Sequence, residues 1–262
     1  MREFSSDGVR IAYIDAPPQG DDRGEAIVLV HGLASNHRVN WVETRWVDAL
    51  TKGGRRVIAL DNRGHGESEK LYRPEDYRAE RMARDVVNLV GHLGLERVDA
   101  MGYSMGARIA AFFAFAAPRR VRRLILGGLG ARLVEGVDLP LGFAEAMEAP
   151  SLDSLADPTQ HAFRAFAERT KSDLAALAAC IRGSRQTLSA AEAASIACPT
   201  LVAAGTRDEI AGDARRLAAL LPKGRALEIL GRGHNPAVGD KTFKAAALAF
   251  LDEDEGAPPA AR

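Results

Sequence analysis

Apolar positions along this chain fall into short dense runs, and these alternate with longer segments of helical composition. Ala26-Ile27-Val28-Leu29-Val30, Arg56-Val57-Ile58-Ala59-Leu60, Glu96 through Met101, Val121 to Leu126, Pro199 through Ala204 and Ala226 through Leu230 read as strands. Each is short, rich in β-branched or other apolar residues, and bounded by Gly, Pro or charged positions. Val9 to Ile14 reads as an earlier strand, joined to the run from Ala26 through the turn-rich Pro17 to Gly24. Helical stretches are expected around Trp46 to Lys52, Ala79 to Leu93, Met105 to Ala116, Asp213 to Leu221 and Thr242 to Leu251. Repeated β-α units imply a mostly parallel central sheet covered by helices on both faces, an α/β fold.

The rhythm breaks once. After Gly127-Gly128-Leu129-Gly130 no strand-like run appears until Pro199, and the interval carries helix-like stretches around Gly142 to Glu148, Thr159 to Arg169, Lys171 to Ile181 and Ser189 to Ala194. The expected division is therefore a core of residues 1–130 and 195–252, a helical insertion over 131–194, and a disordered tail over 253–262, where acidic residues give way to Gly, Ala and Pro.

Gly102-Tyr103-Ser104-Met105-Gly106 stands between a strand and a helix, the setting of a nucleophile elbow. The two glycines remove Cβ atoms where the turn crowds its neighbours, so that Ser104 can hold a strained backbone with its hydroxyl exposed. The pentapeptide alone is weak evidence; its strand-turn-helix setting and the order of its partners add the weight. An activated serine needs a base, an acid that orients the base, and donors for an oxyanion. Gly205-Thr206-Arg207-Asp208-Glu209 follows one strand and supplies Asp208 as the acid, with Glu209 as the adjacent competitor and helix capping as the alternative role for Asp208. Gly231-Arg232-Gly233-His234 follows the last strand and supplies the base, a placement that His31, His37, His65, His92 and His161 do not share. The order Ser, Asp, His is the one expected behind such an elbow, and all three residues fall at strand ends on one side of the sheet. Backbone N–H groups of Leu33, after the run from Ala26, and of Met105, at a helix N-terminus, are the candidate oxyanion donors.

Together, His31-Gly32-Leu33, the block Asp61-Asn62-Arg63-Gly64-His65-Gly66-Glu67-Ser68, the elbow, Gly205-Thr206-Arg207-Asp208 and Gly233-His234 resemble the α/β-hydrolase superfamily over nearly the whole chain. The resemblance departs from many relatives at Ala107, where they carry another glycine. It implies a serine hydrolase cleaving a carboxylic ester or lactone of a small to medium apolar acyl group, a helical cap over 131–194, and no cofactor. Phe143, Phe163 and Phe166, with Leu139, Leu141 and Met147, would line an apolar substrate pocket or else pack the cap against itself. The elbow through Ala107-Arg108 also resembles that of menaquinone-pathway synthases, in which an arginine at the position of Arg108 binds a substrate carboxylate; the plainer role is an ordinary helix arginine. A lyase of that kind, a carbon-carbon bond hydrolase and a non-hydrolytic ligand receptor are the alternative functions on this fold.

Composition narrows the remaining classes. With 35 basic and 35 acidic residues in 262, nothing directs the chain to nucleic acid or an anionic membrane. No apolar run approaches the ~20 residues of a membrane helix, and Met1-Arg2-Glu3-Phe4 opens no apolar signal core. A cytoplasmic monomer or homodimer acting on a small molecule is the expectation, with Cys180 and Cys198 unpaired, buried and inert and no metal-ligand spacing.

Overall fold

Eight strands form one sheet in a computed structural model that describes residues 1–136 and 140–253. In chain order they are β1 (Arg2–Ser6), β2 (Val9–Ala16), β3 (Ala26–Val30), β4 (Arg56–Leu60), β5 (Val98–Tyr103), β6 (Val121–Gly127), β7 (Thr200–Gly205) and β8 (Gly224–Ile229). Their spatial order is β1-β2-β4-β3-β5-β6-β7-β8. The β1–β2 and β2–β4 pairs are antiparallel and every later pair is parallel. The helices are α1 (Trp46–Lys52), α2 (Ala79–His92), α3 (Met105–Ala116), α4 (Arg132–Glu135), α5 (Gly142–Glu148), α6 (Pro158–Arg169), α7 (Leu174–Gly183), α8 (Ala190–Ala194), α9 (Ala214–Leu220), α10 (His234–Ala237) and α11 (Lys241–Leu251).

The continuous apolar runs are the strands covered on both faces. Every residue of β3 and β5 is buried, and alternate side chains of β3 enter opposite cores. Val28 and Val30 join Ile58, Leu60 and residues of α2 and α3 such as Val86, Leu89, Ile109 and Phe113. Ile27 and Leu29 face the other way, onto Trp41, Trp46, Phe243 and Phe250. Full burial of one such aliphatic side chain is worth roughly 1.5–3 kcal/mol. The strand β1 was not among the expected elements. It is an antiparallel edge strand with only Phe4 and Ser6 buried, so it shows no apolar run.

Helices α4 to α8 lie between β6 and β7 in the chain. Three of them, α5, α6 and α7, build a small core of their own from Phe143, Ala144, Met147, Ala167, Leu177 and Ile181, which also takes in Ala34 from the loop after β3. Asp157, Asp173 and Ser189 cap α6, α7 and α8, each accepting backbone N–H groups of the first turn. Leu139 and residues 254–262 of the expected pocket and tail lie outside the described residues. Glu253, placed in that tail, is tied down: its carbonyl accepts from Arg123 and its carboxylate pairs with Arg225. Cys180 is buried and Cys198 only part-buried, and both are free thiols. Among the described residues no helix is long and apolar enough to cross a membrane.

Winding reverses at β3. The chain leaves β3 for β4 on one side and returns to pair β5 on the other. Loops after β3 and β5 therefore diverge and leave a crevice at the carboxyl ends of the strands, where open α/β sheets hold ligands.

Candidate active site

Ser104 sits where β5 turns into α3, with φ 56° and ψ −118°, a backbone conformation that side chains other than glycine rarely adopt. The strain is held from several sides. Ser104 donates its N–H to Gly127 O at 2.8 Å, on the neighbouring strand β6. A Cβ on Gly102 would stand 2.1 Å from Gly106 O, and one on Gly106 would stand 2.0 Å from Val30 O. Both elbow glycines are thus required by close backbone approach, the second by contact with the end of β3 itself.

The loops after β7 and β8 are joined before they reach the serine. Thr206 donates its N–H to Ile229 O, Arg207 its N–H to Arg232 O, and Gly231 its N–H to Thr206 Oγ1. A Cβ on Gly205 would stand 2.1 Å from Arg232 O, so the glycine lets the two loops close on each other. Asp208 and His234 ride on this paired platform. Asp208 Oδ1 accepts the N–H groups of Ile210 and Ala211, each at 3.0 Å, and its Oδ2 lies 2.8 Å from His234 Nδ1. His234 Nε2 lies 2.9 Å from Ser104 Oγ. With a fully buried carboxylate on Nδ1, that nitrogen carries the proton and Nε2 is left to accept from the serine hydroxyl. His234 opens α10, and Tyr103, the residue before the nucleophile, donates its hydroxyl to the His234 carbonyl. Glu209 is exposed beside the series.

The loop after β3 crosses the elbow: a Cβ on Gly32 would be 3.5 Å from Ser104 Cβ and 3.3 Å from Tyr103 O. Its conformation is fixed by buried polar groups. Gly32 donates its N–H to Asn40 Oδ1 at 3.1 Å. His31 Nε2 accepts the Asn62 N–H at 2.9 Å while its Nδ1 donates to Gly32 O at 2.7 Å, which sets one neutral tautomer. His37 donates both its N–H and its Nδ1–H to Asp61 Oδ1, and Asp61 Oδ2 accepts the Glu67 N–H. The block from Asp61 to Ser68 is therefore a brace between this loop, β2 and α2. Arg63 pairs with Asp85 of α2 at 2.8 Å, and Ser68 Oγ accepts the Ala12 N–H. Among the described residues, no acceptor takes the N–H of Leu33 or of Met105, the latter being the first residue of α3.

Arg108 stands one turn beyond Ser104, and its partners are main-chain carbonyls. Its side chain is buried, with Nη1 donating to Gln186 O at 2.6 Å and Nη2 to Arg132 O at 3.0 Å. Those carbonyls belong to the two stems of the inserted segment, which also meet through Leu188 N–H and Leu133 O. Burial, with the charge of Arg185 adding to it, lowers the Arg108 pKa to about 10, so the group stays cationic at neutral pH. Two of the aromatic candidates pack against each other, and all three join the small core of the insertion. Phe143 is buried against Phe163 with ring centroids 5.4 Å apart, and Phe166 lies under the Arg169 guanidinium. Leu141, by contrast, is exposed. Among the described residues no three His, Cys, Asp or Glu side chains come together as a set that could hold a metal ion.

The buried histidines make stability acid-sensitive. Burial is the largest influence on both; it lowers His31 from 6.5 to about 4 and His65 from 6.5 to about 3. Unfolded histidine takes up its proton near 6.5 while the folded groups resist it. Their contribution is complete above pH 6.5 and is lost as pH falls toward 4. Asp99 works the other way between 6 and 3.8, because burial raises its carboxyl to about 6, one group against two. Asp61 stays ionised throughout: burial acts to raise it, but the His37 hydrogen bonds and the two nearby histidines outweigh that and bring it to about 2. Melting temperature is expected to be level above pH 6.5 and to fall between 6.5 and 4, with a loss of roughly 4 kcal/mol. Scanning calorimetry across that range checks it, and a level profile down to pH 4.5 would contradict the assignment.

A hydrogen-bonded Ser, His and Asp delivered by three strand ends to the switch point of a parallel sheet define the class of protein at hand, an α/β fold built around a serine elbow. A family model described as alpha/beta hydrolase fold matches residues 25–184, and the chain belongs to that family. It is 35% identical over 121 residues to a Bacillus subtilis protein provisionally named 2-succinyl-6-hydroxy-2,4-cyclohexadiene-1-carboxylate synthase, covering 46% of this chain and 41% of that one. It is 36% identical over 115 residues to epoxide hydrolase B of Mycobacterium tuberculosis, covering 43% and 31%. These alignments span less than half the length of either relative. Among solved structures, the enol-lactonase of Burkholderia xenovorans LB400 superposes with a TM-score of 0.80 at 24% identity, over 96% of this chain and 100% of that one. That likeness is one of fold.

Proposed function

We propose that this chain is a serine hydrolase that cleaves a carboxylic ester or lactone of a small to medium apolar acid through an acyl-enzyme. The observation that carries the reading is the unbroken series from Ser104 Oγ through His234 to Asp208, with bonds of 2.9 and 2.8 Å. His234 Nε2 takes the hydroxyl proton as Ser104 Oγ attacks the carbonyl carbon, and the Asp208 carboxylate stabilises the imidazolium. The carbonyl oxygen, now negative, is received by the N–H groups of Leu33 and Met105. His234 returns the proton to the leaving alkoxide. It then takes a proton from water, whose oxygen attacks the acyl carbon, and passes that proton to Ser104 Oγ as the acid leaves. The inserted helices act as a cap above this site.

Support for an ester or lactone over the synthase-like reading comes from Arg108, whose two terminal nitrogens are engaged by main-chain carbonyls rather than turned to a substrate carboxylate. The shared fold with an enol-lactonase is compatible with either ester or lactone. The test is turnover of p-nitrophenyl acetate, butyrate and octanoate together with labelling by a serine-directed phosphonate. Turnover with label on Ser104 is expected, and the preferred chain length measures the acyl pocket. Label without turnover would move the reading to a lyase, a carbon-carbon bond hydrolase or a receptor. Neither, in folded protein, would remove it.

A further inference from the structure

Ala34 has φ +56°, a left-handed conformation without glycine to excuse it, one residue from the Leu33 amide. It is fully buried, and what buries it is the inserted segment: its methyl belongs to the small core of Phe143, Met147, Ala167, Leu177 and Ile181. Its carbonyl accepts from Thr170 Oγ1 at 2.9 Å, at the carboxyl end of α6. The same hydroxyl lies 2.9 Å from Ala167 O and 2.9 Å from Ser172 Oγ. Both carbonyls lie within reach of the one hydroxyl proton, and Ser172 Oγ is close enough to donate into the Thr170 oxygen. Lys171, the next residue, is itself left-handed at φ +55°, so the turn that presents Thr170 is strained as well. Leu33 packs against both the large core under β3 and the small core of the insertion.

The hydrogen bonds made by Gly32, Ser35 and His37 are to the loop itself or to the catalytic core, through Asn40, Gly32 and Asp61. Ala34 is where the insertion holds the loop by a hydrogen bond as well as by packing, with the Leu33 side chain packed beside it. A left-handed alanine persists only where its surroundings over-determine it, and at Ala34 the loop's own turn, closed by Ser35 N–H on Gly32 O, is joined by packing from α5, α6 and α7 and by the Thr170 hydrogen bond.

We propose that the inserted helices are part of the oxyanion apparatus, with Thr170 as a positioning residue: by seating on Ala34 it holds the 32–34 loop in the conformation that presents the Leu33 N–H. Substrate entry that displaces the α6–α7 turn then loosens the hole, and reseating of the turn completes it, so acyl transfer is confined to the closed form. The inference rests on the reading of Leu33 as an oxyanion donor.

Thr170→Val removes the hydroxyl at nearly constant volume, and Thr170→Ser keeps it. Loss of one oxyanion donor outright costs on the order of 10²–10³ in rate; a loosened donor is expected to cost about tenfold. Thr170→Val should therefore lower kcat on the preferred p-nitrophenyl ester about tenfold with KM within about twofold. It should weaken a trifluoromethyl ketone inhibitor by the same factor, and Thr170→Ser should restore both. Amide hydrogen exchange of Ser35 and His37, bonded in the wild type, should speed up in Thr170→Val and return in Thr170→Ser. Unchanged kcat, or a rise in KM alone, would reduce Thr170 to a residue of the cap and overturn the proposal. The exchange readout needs no catalysis. If the wild type turns over no ester, the functional reading fails on its own, while unchanged exchange in Thr170→Val separately overturns the coupling of insertion to loop.

Discussion

Replacement of Ser104 by alanine is expected to lower kcat for ester turnover by about 10⁶-fold, as loss of the nucleophile does when the members of a triad act as a unit. The fold should survive. Alanine keeps the Cβ, so the positive φ of the elbow is neither relieved nor worsened, and the clamps on the turn come from other atoms. The Gly127 carbonyl still accepts the residue-104 N–H, and the close approaches at Gly102 and Gly106 are untouched. What is lost is the bond to His234 Nε2; the ring remains tied at Nδ1 to Asp208, and the His234 main-chain carbonyl remains bonded by Tyr103. Residual catalysis over water should come from the oxyanion donors and from binding. Steady-state rates with the phosphonate label as an active-site count make the measurement, and a melting curve beside them separates chemistry from folding. A variant that kept more than a percent of the wild-type rate, with no label, would show that another nucleophile does the work.

The sequence was most readable where burial is complete on both faces. Ala26–Val30 and Arg56–Leu60 appear as bare apolar runs because parallel central strands leave no polar face to show. The elbow was readable for a related reason: Gly102 and Gly106 are demanded by main-chain contacts that a Cβ would block, so the constraint is written in residue type. The edge strand Arg2–Ser6 was not, since its exposed face is charged and its buried face holds a single aromatic. Arg108 shows the limit on the site itself. A buried guanidinium can be satisfied by a carboxylate, a substrate or carbonyls, and only the path of a distant segment shows that Arg132 and Gln186 provide the last. The same holds for Ala34, whose left-handed backbone leaves no trace in a residue that ordinarily avoids it. The carbonyl of His234 bonded by Tyr103 and the Asp61–His37 tie depend likewise on contacts between segments far apart in the chain. Residue types forced by close packing can be read from sequence; polar partners chosen by tertiary path cannot.

Asp208→Asn is the second large effect, and the geometry says which way the new amide must turn. Oδ1 of Asp208 accepts two main-chain N–H groups, from Ile210 and Ala211, and an NH₂ in that place would oppose both. The asparagine oxygen therefore stays on that side, which puts its NH₂ where Oδ2 now faces His234 Nδ1. A donor there forces Nδ1 to accept, so the neutral imidazole carries its proton on Nε2 and presents N–H, not a lone pair, to Ser104 Oγ. The base is then in the wrong tautomer with every atom nearly in place. A loss of about 10⁴-fold in kcat is expected at neutral pH, with little change in melting temperature because the turn at Ile210 and Ala211 keeps its acceptor. Glu209→Gln, at an exposed position beside it, should stay within about twofold, the usual scale of a surface change. The pair of variants decides the identity of the acid. A severe loss in Glu209→Gln with a near-normal Asp208→Asn would mean that the His234 ring takes a different partner in the working enzyme, and that the tautomer argument belongs to Glu209 instead.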